Sequence, residues 1–171
     1  LNTQQYVDFL NTLTRKQQNS RTQADISTDI IENIHVMTDT KEEYLRQSII
    51  CPSSGNGTEK PIIFSCDAPT RACNVISWAD NCAYAAWAGL RPITEMEYEK
   101  ACRGTGKPIP YEFAWGTTRI GIIEGVEGVD GSGNETKLPK TGIVNCWYDG
   151  GVGPMHRGKQ KKFKHPGFVE G

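Results

Sequence analysis

Apolar residues along this chain fall into short, separated runs, and their spacing changes character several times. Near the start, Tyr6, Phe9, Leu10 and Leu13 recur at i, i+3, i+4 and i+7. That spacing predicts an amphipathic helix from Thr3 to about Arg15, with Thr3 as its cap. Residues 16–33 are polar and lack a period, so they read as irregular. Ile34 to Thr38 suits a short strand, and Tyr44 to Ile50 is ambiguous between helix and strand. Cys51 to Cys73 reads as a loop containing one buried strand at Pro61–Phe64.

Two further helices are marked by their punctuation. Ser77 has Asp80 three residues on, and Thr94 has Glu97 three residues on. Each pair forms a capping box, in which the hydroxyl accepts from a first-turn N–H and the carboxylate reaches back to the cap. Gly89 and Gly104 stand where a left-handed residue ends a helix, and Pro92 stiffens the link between the two. Helices are therefore predicted over 77–88 and 94–103. The first is apolar nearly all round, with Ala79, Cys82, Ala83 and Ala86 on one face and Tyr84 and Trp87 on another. It is expected to be enclosed on most sides. The second is expected to bury Tyr98, Ala101 and Cys102 and to expose Glu95, Glu99 and Lys100. Trp87, Tyr98 and Trp115 are placed in or beside the core.

From Gly116 to Gly153 the chain is glycine-rich, with glycines too scattered to cradle a phosphate. Residues 154–171 form a basic tail, with Arg157, Lys159, Lys161, Lys162 and Lys164 around Phe163. It reads either as a solvated terminus or as a patch for an anionic partner. Over all 171 residues, 19 basic and 20 acidic side chains leave a net charge of −1. No global field therefore draws the chain to nucleic acid or membrane. No apolar run approaches the roughly 20 residues that a membrane helix needs. The chain opens without Met inside a capped helix, so Leu1 is expected to follow earlier residues. Two sequons, Asn56-Gly-Thr58 and Asn134-Glu-Thr136, fall in predicted loops.

The six cysteines contain no Cys-x-x-Cys, which excludes a zinc ribbon. Cys51, Cys66 and Cys73 bracket a segment with little apolar content. A disulfide between two of them is expected to hold it, the alternative being separate buried thiols. Such a disulfide implies an extracytoplasmic location, whether periplasmic, cell-surface or secreted.

Residues Ser77–Gly104 resemble the formylglycine-generating enzymes, or sulfatase-modifying factors. The family's S-W-x-D-A-x-A-Y-x-x-W-A-G-x-R-x-P-T-E-A-E-W-E-x-A-x-R-G block appears with Ile93 after the proline, Met96 for Ala and Tyr98 for Trp. Its Pro-Trp-Gly follows as Phe113-Ala114-Trp115-Gly116, and Asn2 to Leu13 looks like its first helix. The resemblance covers residues 1–153, with an insertion at about 16–74. It implies an α+β, C-type-lectin-like fold: loop-rich, with a small twisted sheet and two or three short helices.

The resemblance also implies chemistry. Family enzymes oxidise a substrate cysteine to formylglycine, using two cysteines that hold copper(I) downstream of a Gly-Asn-x-Trp-Glu-Trp motif. This chain has no such motif and no cysteine after Cys146. The ergothioneine-synthesis relatives use His-x-x-x-His-x-Glu, and His35, His156 and His165 lack that spacing. The family's calcium segment is matched by Asn145-Cys146-Trp147. Asn145, the Cys146 carbonyl and Asp149 supply hard oxygen ligands for a structural calcium, unless Asn145 only stabilises a turn. The function expected is a non-catalytic, lectin-like structural or binding domain with a protein or glycan partner. The alternative is a copper oxidase whose catalytic half lies outside this chain.

Overall fold

The computed structural model describes residues 1–54, 56–107, 110–111, 125–129, 132 and 134–138. Helix α1 (Thr3–Leu10) is capped by Asn2, not Thr3: Asn2 Oδ1 accepts from the Gln5 N–H at 2.8 Å, and Gln5 Oε1 accepts from the Asn2 N–H at 2.9 Å. It stops at Leu10 because Thr14 opens a second helix, α2 (Arg15–Asn19), through its own capping box with Gln17. Residues 16–33 are thus not wholly irregular. Strands β1 (Ile34–His35), β2 (Ile49–Cys51) and β3 (Ser65–Cys66) form an antiparallel sheet with β2 in the middle. Only the start of the predicted 34–38 strand pairs. The ambiguous 44–50 segment is a turn and then a strand, with Leu45 and Arg46 at φ of 54° and 57° reversing the chain ahead of Ile49.

Helices α3 (Trp78–Trp87) and α4 (Glu95–Arg103) follow, and strands β4 (Gly125–Glu127) and β5 (Thr136–Leu138) pair as an antiparallel ladder. Both predicted capping boxes form, at Ser77–Asp80 and Thr94–Glu97. At the end of α3, Gly89 (φ 70°) donates to Ala86 O and Leu90 N–H to Ala85 O at 2.7 Å, a Schellman ending. Helices and antiparallel strands together make an α+β arrangement.

The core is built from residues that the sequence assigns to an insertion. Tyr6, Val7, Phe9 and Leu10 of α1 meet Ala24, Ile26, Ile30, Val36, Met37, Ile49, Cys51, Ile62 and Phe64 in one buried cluster. The expectation that this segment lacks apolar content is therefore wrong. Its apolar residues are spaced too irregularly to show a period, yet they converge. Cys51, Cys66, Cys73 and Cys82 are free thiols, so no disulfide stands in for a core here.

Pro61–Phe64 is buried at Ile62 and Phe64 but pairs with no strand. Two side-chain amides take the place of one. Asn11 Oδ1 accepts from the Phe64 N–H at 2.8 Å while its Nδ2 donates to Phe64 O at 3.1 Å. Gln18 treats Ile62 the same way, at 2.8 Å in both directions. A carboxamide carries the same donor and acceptor as a peptide group, so it satisfies the backbone without a partner strand.

Arg15, fully inside the fold, organises the loops. Its Nε donates to Ile26 O, Nη1 to Asn56 O and Lys60 O, and Nη2 to Thr28 O and Gly57 O, all at 2.7–2.9 Å. All five N–H groups meet backbone carbonyls. Asn56 closes the same shell, donating its amide to Ile30 O and Pro52 O. The sequon asparagine is therefore buried, whereas Asn134 is exposed.

Helices α3 and α4 depart from their expected burial. Only Asp80 and Ala85 of α3 are buried; Trp78 is 70% exposed and Trp87 46%, although Trp87 still lies against Phe9 at 5.6 Å. In α4, Tyr98 and Ala101 are exposed rather than buried. The core cluster already closes around α1 and the central sheet, so α3 touches it along one edge, at Ala83 and Tyr84. Trp115 and the Cys102 side chain lie outside the described residues.

Two outcomes test this account. Arg15→Met should lower unfolding stability by about 3–5 kcal/mol in urea titrations, because five carbonyls lose their donor. Arg15→Lys, with three donors, should recover only part of that loss. At α4, the Arg91 guanidinium, bidentate on Glu97, together with the Thr94 N–H and hydroxyl, lowers the Glu97 carboxyl to about 2. A carboxylate with a depressed pKa stabilises above its unfolded value near 4.5 and loses that contribution as pH falls towards about 2. NMR titration should show the Thr94 amide losing protection across that window, and Glu97→Gln should abolish the transition.

Candidate functional site

Helix α3 is fastened to the core at a junction with α1 and α2. Phe9 of α1 meets Tyr84 edge-on at 5.9 Å and Trp87 at 5.6 Å, and Tyr84 and Trp87 lie 5.7 Å apart. Arg21, just past α2, sits 5.7 Å over the Phe9 ring and donates to Asp80 Oδ1 at 2.9 Å. Asp80 Oδ2 meanwhile accepts from the Ser77 N–H and hydroxyl. One carboxylate thus caps α3 and anchors it to α2, which requires the short side chain of Asp at this cap position.

Tyr6 lies wholly buried beneath this junction. Burial pushes its phenol well above the ordinary range, and the nearby Asp80 and Cys73 push it further. A phenol held this way is a poor proton donor and no base at neutral pH. Asp80 has both oxygens engaged. The junction is therefore built for attachment and offers no acid–base pair.

The thiols are also held inactive. Burial raises Cys51 to about 11, burial with Asp67 and Asp8 raises Cys66 to about 11, and burial raises Cys73 to about 12. Thiols raised this far are weak nucleophiles at neutral pH. Among the described residues, no group of three or more His, Cys, Asp or Glu side chains is placed to hold a metal. The calcium candidates Asn145, Cys146 and Asp149 lie outside the described residues, as do Trp147 and the basic tail.

A charged cluster appears that the sequence reading did not single out. Arg71, 2% exposed, donates to Glu43 and to Arg46 O, and Arg46 pairs with the buried Glu135. It joins the loop before β2, the loop after β3 and the β4–β5 turn. A shallow cavity of about 360 Å³ opens at α2, lined by Thr14, Arg15, Lys16, Asn19, Ser27 and Glu59, with Thr58. Arg15 has committed every donor to carbonyls and has none for a bound anion. The signals for α2 were present in the sequence as Thr14-x-x-Gln17. The roles of Arg15, Arg21 and Arg71 depend on distant loops and had no local signature.

Comparison with known proteins finds relatives of this chain. A formylglycine-generating enzyme of Thermomonospora curvata is 35% identical over 92 residues, 51% of this chain and 30% of that protein. The matched stretch therefore spans less than a third of that relative's length. No solved structure matches. The family model for the sulfatase-modifying factor enzyme 1-like domain matches residues 4–132, from α1 through the β4 strand and beyond, well over half of the chain. With both capping boxes, the Schellman glycine and the α1–α3 junction inside that span, this chain belongs to the sulfatase-modifying factor enzyme 1-like domain family.

Proposed function

We propose that this chain serves as a lectin-like scaffold and binding domain of the sulfatase-modifying-factor type, working outside the cytoplasm, and not as a self-sufficient formylglycine-generating oxidase. The observation that carries this is the state of the thiols. Oxidation of a substrate cysteine needs thiols that open towards substrate, whereas Cys51 lies inside the core cluster and Cys66 and Cys73 pack against it. The junction at Asp80 and Phe9 serves attachment, and near-neutral net charge suits a protein or glycan partner over nucleic acid. A structural calcium held by Asn145, the Cys146 carbonyl and Asp149 belongs to the same reading.

A second reading is favoured by the 35% identity to a formylglycine-generating enzyme. In it, this chain supplies the scaffold of a copper oxidase whose reacting cysteines lie in further sequence.

Incubation with a sulfatase-type cysteine peptide, with and without copper, should yield no aldehyde reactive towards an aminooxy probe. Aldehyde formation that disappears in Cys146→Ser would overturn the proposal and make Cys146 a reacting cysteine of this chain. Native alkylation should accord with the thiol chemistry. Iodoacetamide labelling of Cys51 and Cys73 at pH 8 should be much slower than in denaturant, and should keep rising beyond pH 9 because the folded thiols ionise only near 11–12.

A further inference from the structure

The loop that Arg15 gathers contains the single Asn-Gly pair of the sequence, Asn56-Gly57. Asparagine followed by glycine is especially prone to modify itself, because glycine has no Cβ to hinder its own peptide nitrogen as it attacks the asparagine side chain. In this fold both halves of the pair are gripped. Asn56 is 4% exposed, and its Nδ2 donates to Pro52 O at 2.6 Å and to Ile30 O at 3.3 Å. Arg15 Nη1 donates to Asn56 O at 2.9 Å and Nη2 to Gly57 O at 2.8 Å, so one guanidinium holds the carbonyls on either side of the Gly57 nitrogen. Gly57 lies at φ +50°, and a Cβ there would meet nothing within 4 Å. The backbone conformation, and not lack of space, is what calls for glycine, so the reactive pair is built into the turn.

We propose that Asn56-Gly57 is a latent deamidation site that the closed Arg15 shell silences and that reacts once the shell opens, turning a reversible opening into a permanent one. The only co-reactant is water. The Gly57 nitrogen attacks Asn56 Cγ and passes its proton to water, the bond from Cγ to Nδ2 breaks, and ammonia leaves. Water then adds to one of the two carbonyls of the cyclic imide and reopens it, leaving an aspartyl or an isoaspartyl residue. In the closed shell the departing nitrogen is the atom bound to Ile30 O and Pro52 O, away from the water that must protonate it. Both products lack that donor and carry a carboxylate in its place. Returned to the shell, the carboxylate of the aspartyl form faces two carbonyl oxygens, losing both hydrogen bonds and adding repulsion. The isoaspartyl form routes the main chain through the former side chain and so displaces a carbonyl that Arg15 grips.

The test holds the full chain at pH 8 in native buffer and in denaturing urea. Peptide mapping follows conversion of the residue 56 amide to an acid, and isoaspartyl methyltransferase labels the isoaspartyl product. Reaction in native buffer should be at least about a hundredfold slower than in urea, because only the open fraction reacts. Arg15→Lys should narrow that gap several-fold while leaving the rate in urea unchanged, since it loosens the shell and spares the local sequence. The deamidated fraction of the wild-type chain, separated by charge, should unfold at lower urea than the unreacted fraction and should not recover on refolding. Equal rates in buffer and in urea would overturn the gating, and a gap that Arg15→Lys leaves intact would remove Arg15 from it. A deamidated fraction that unfolds at the unreacted midpoint would overturn the one-way step. The wild-type readings stand whether or not the variant folds.

Discussion

A single buried cation holds the irregular half of this fold together. Arg15 meets no carboxylate among the described residues; its charge is balanced by five carbonyl dipoles drawn from residues 26, 28, 56, 57 and 60. Burying a guanidinium is costly unless all its donors are met, and burying those carbonyls unmet would be costly as well. Each side of the arrangement solves the other's problem. The two loops converge on Arg15, which satisfies their carbonyls and lets them pack beside the hydrophobic cluster. Gln18 and Asn11 repeat the principle in neutral form at Ile62 and Phe64. Three side chains at the α1–α2 corner thus do the work of a missing strand.

That logic explains which parts of the structure could be read from sequence. Ser77, Asp80, Thr94, Glu97 and Gly89 act within a few residues of themselves, so their roles appear as local patterns, and each formed as read. Asn2 and Thr14 act locally too, and their Gln partners three residues on were legible signals for caps that the apolar stripe of α1 overshadowed. Arg15, Arg21 and Arg71 connect residues tens of positions apart, and in sequence an organising arginine is indistinguishable from a surface one. The core between residues 24 and 64 was hidden for a related reason. Segments held by side-chain hydrogen bonds need keep neither the helical nor the strand period, so periodicity had nothing to detect. Burial on α3 and α4 misled in the opposite direction, since an apolar helix states only that it has something to cover, not where its cover lies.

The candidate site divides in the same way. Family membership was legible because its block is written into the two capped helices, and Asp80 shows why that block is demanding. Its two oxygens serve different masters, a helix start and the Arg21 anchor. A Glu there would shift the carboxylate away from one of them, and an Asn would keep the cap while giving up the ion pair. The resulting junction places Tyr84 and Trp87 of α3 against Phe9.

Asn56 carries a consequence for anyone producing this protein. Its side-chain nitrogen is committed to Ile30 and Pro52 and its carbonyl to Arg15, all behind a closed surface. In a eukaryotic secretory host the same nitrogen is a legitimate acceptor for a glycan while the chain is still emerging. Sugar transfer and closure of the Arg15 shell would then be rival fates of one atom. Glycan occupancy at residue 56 would report the fraction of molecules that lost the race, and those molecules would be the ones retained by quality control. A host that leaves Asn-x-Thr untouched, or Thr58→Ala at this exposed position, removes the rivalry without disturbing the shell.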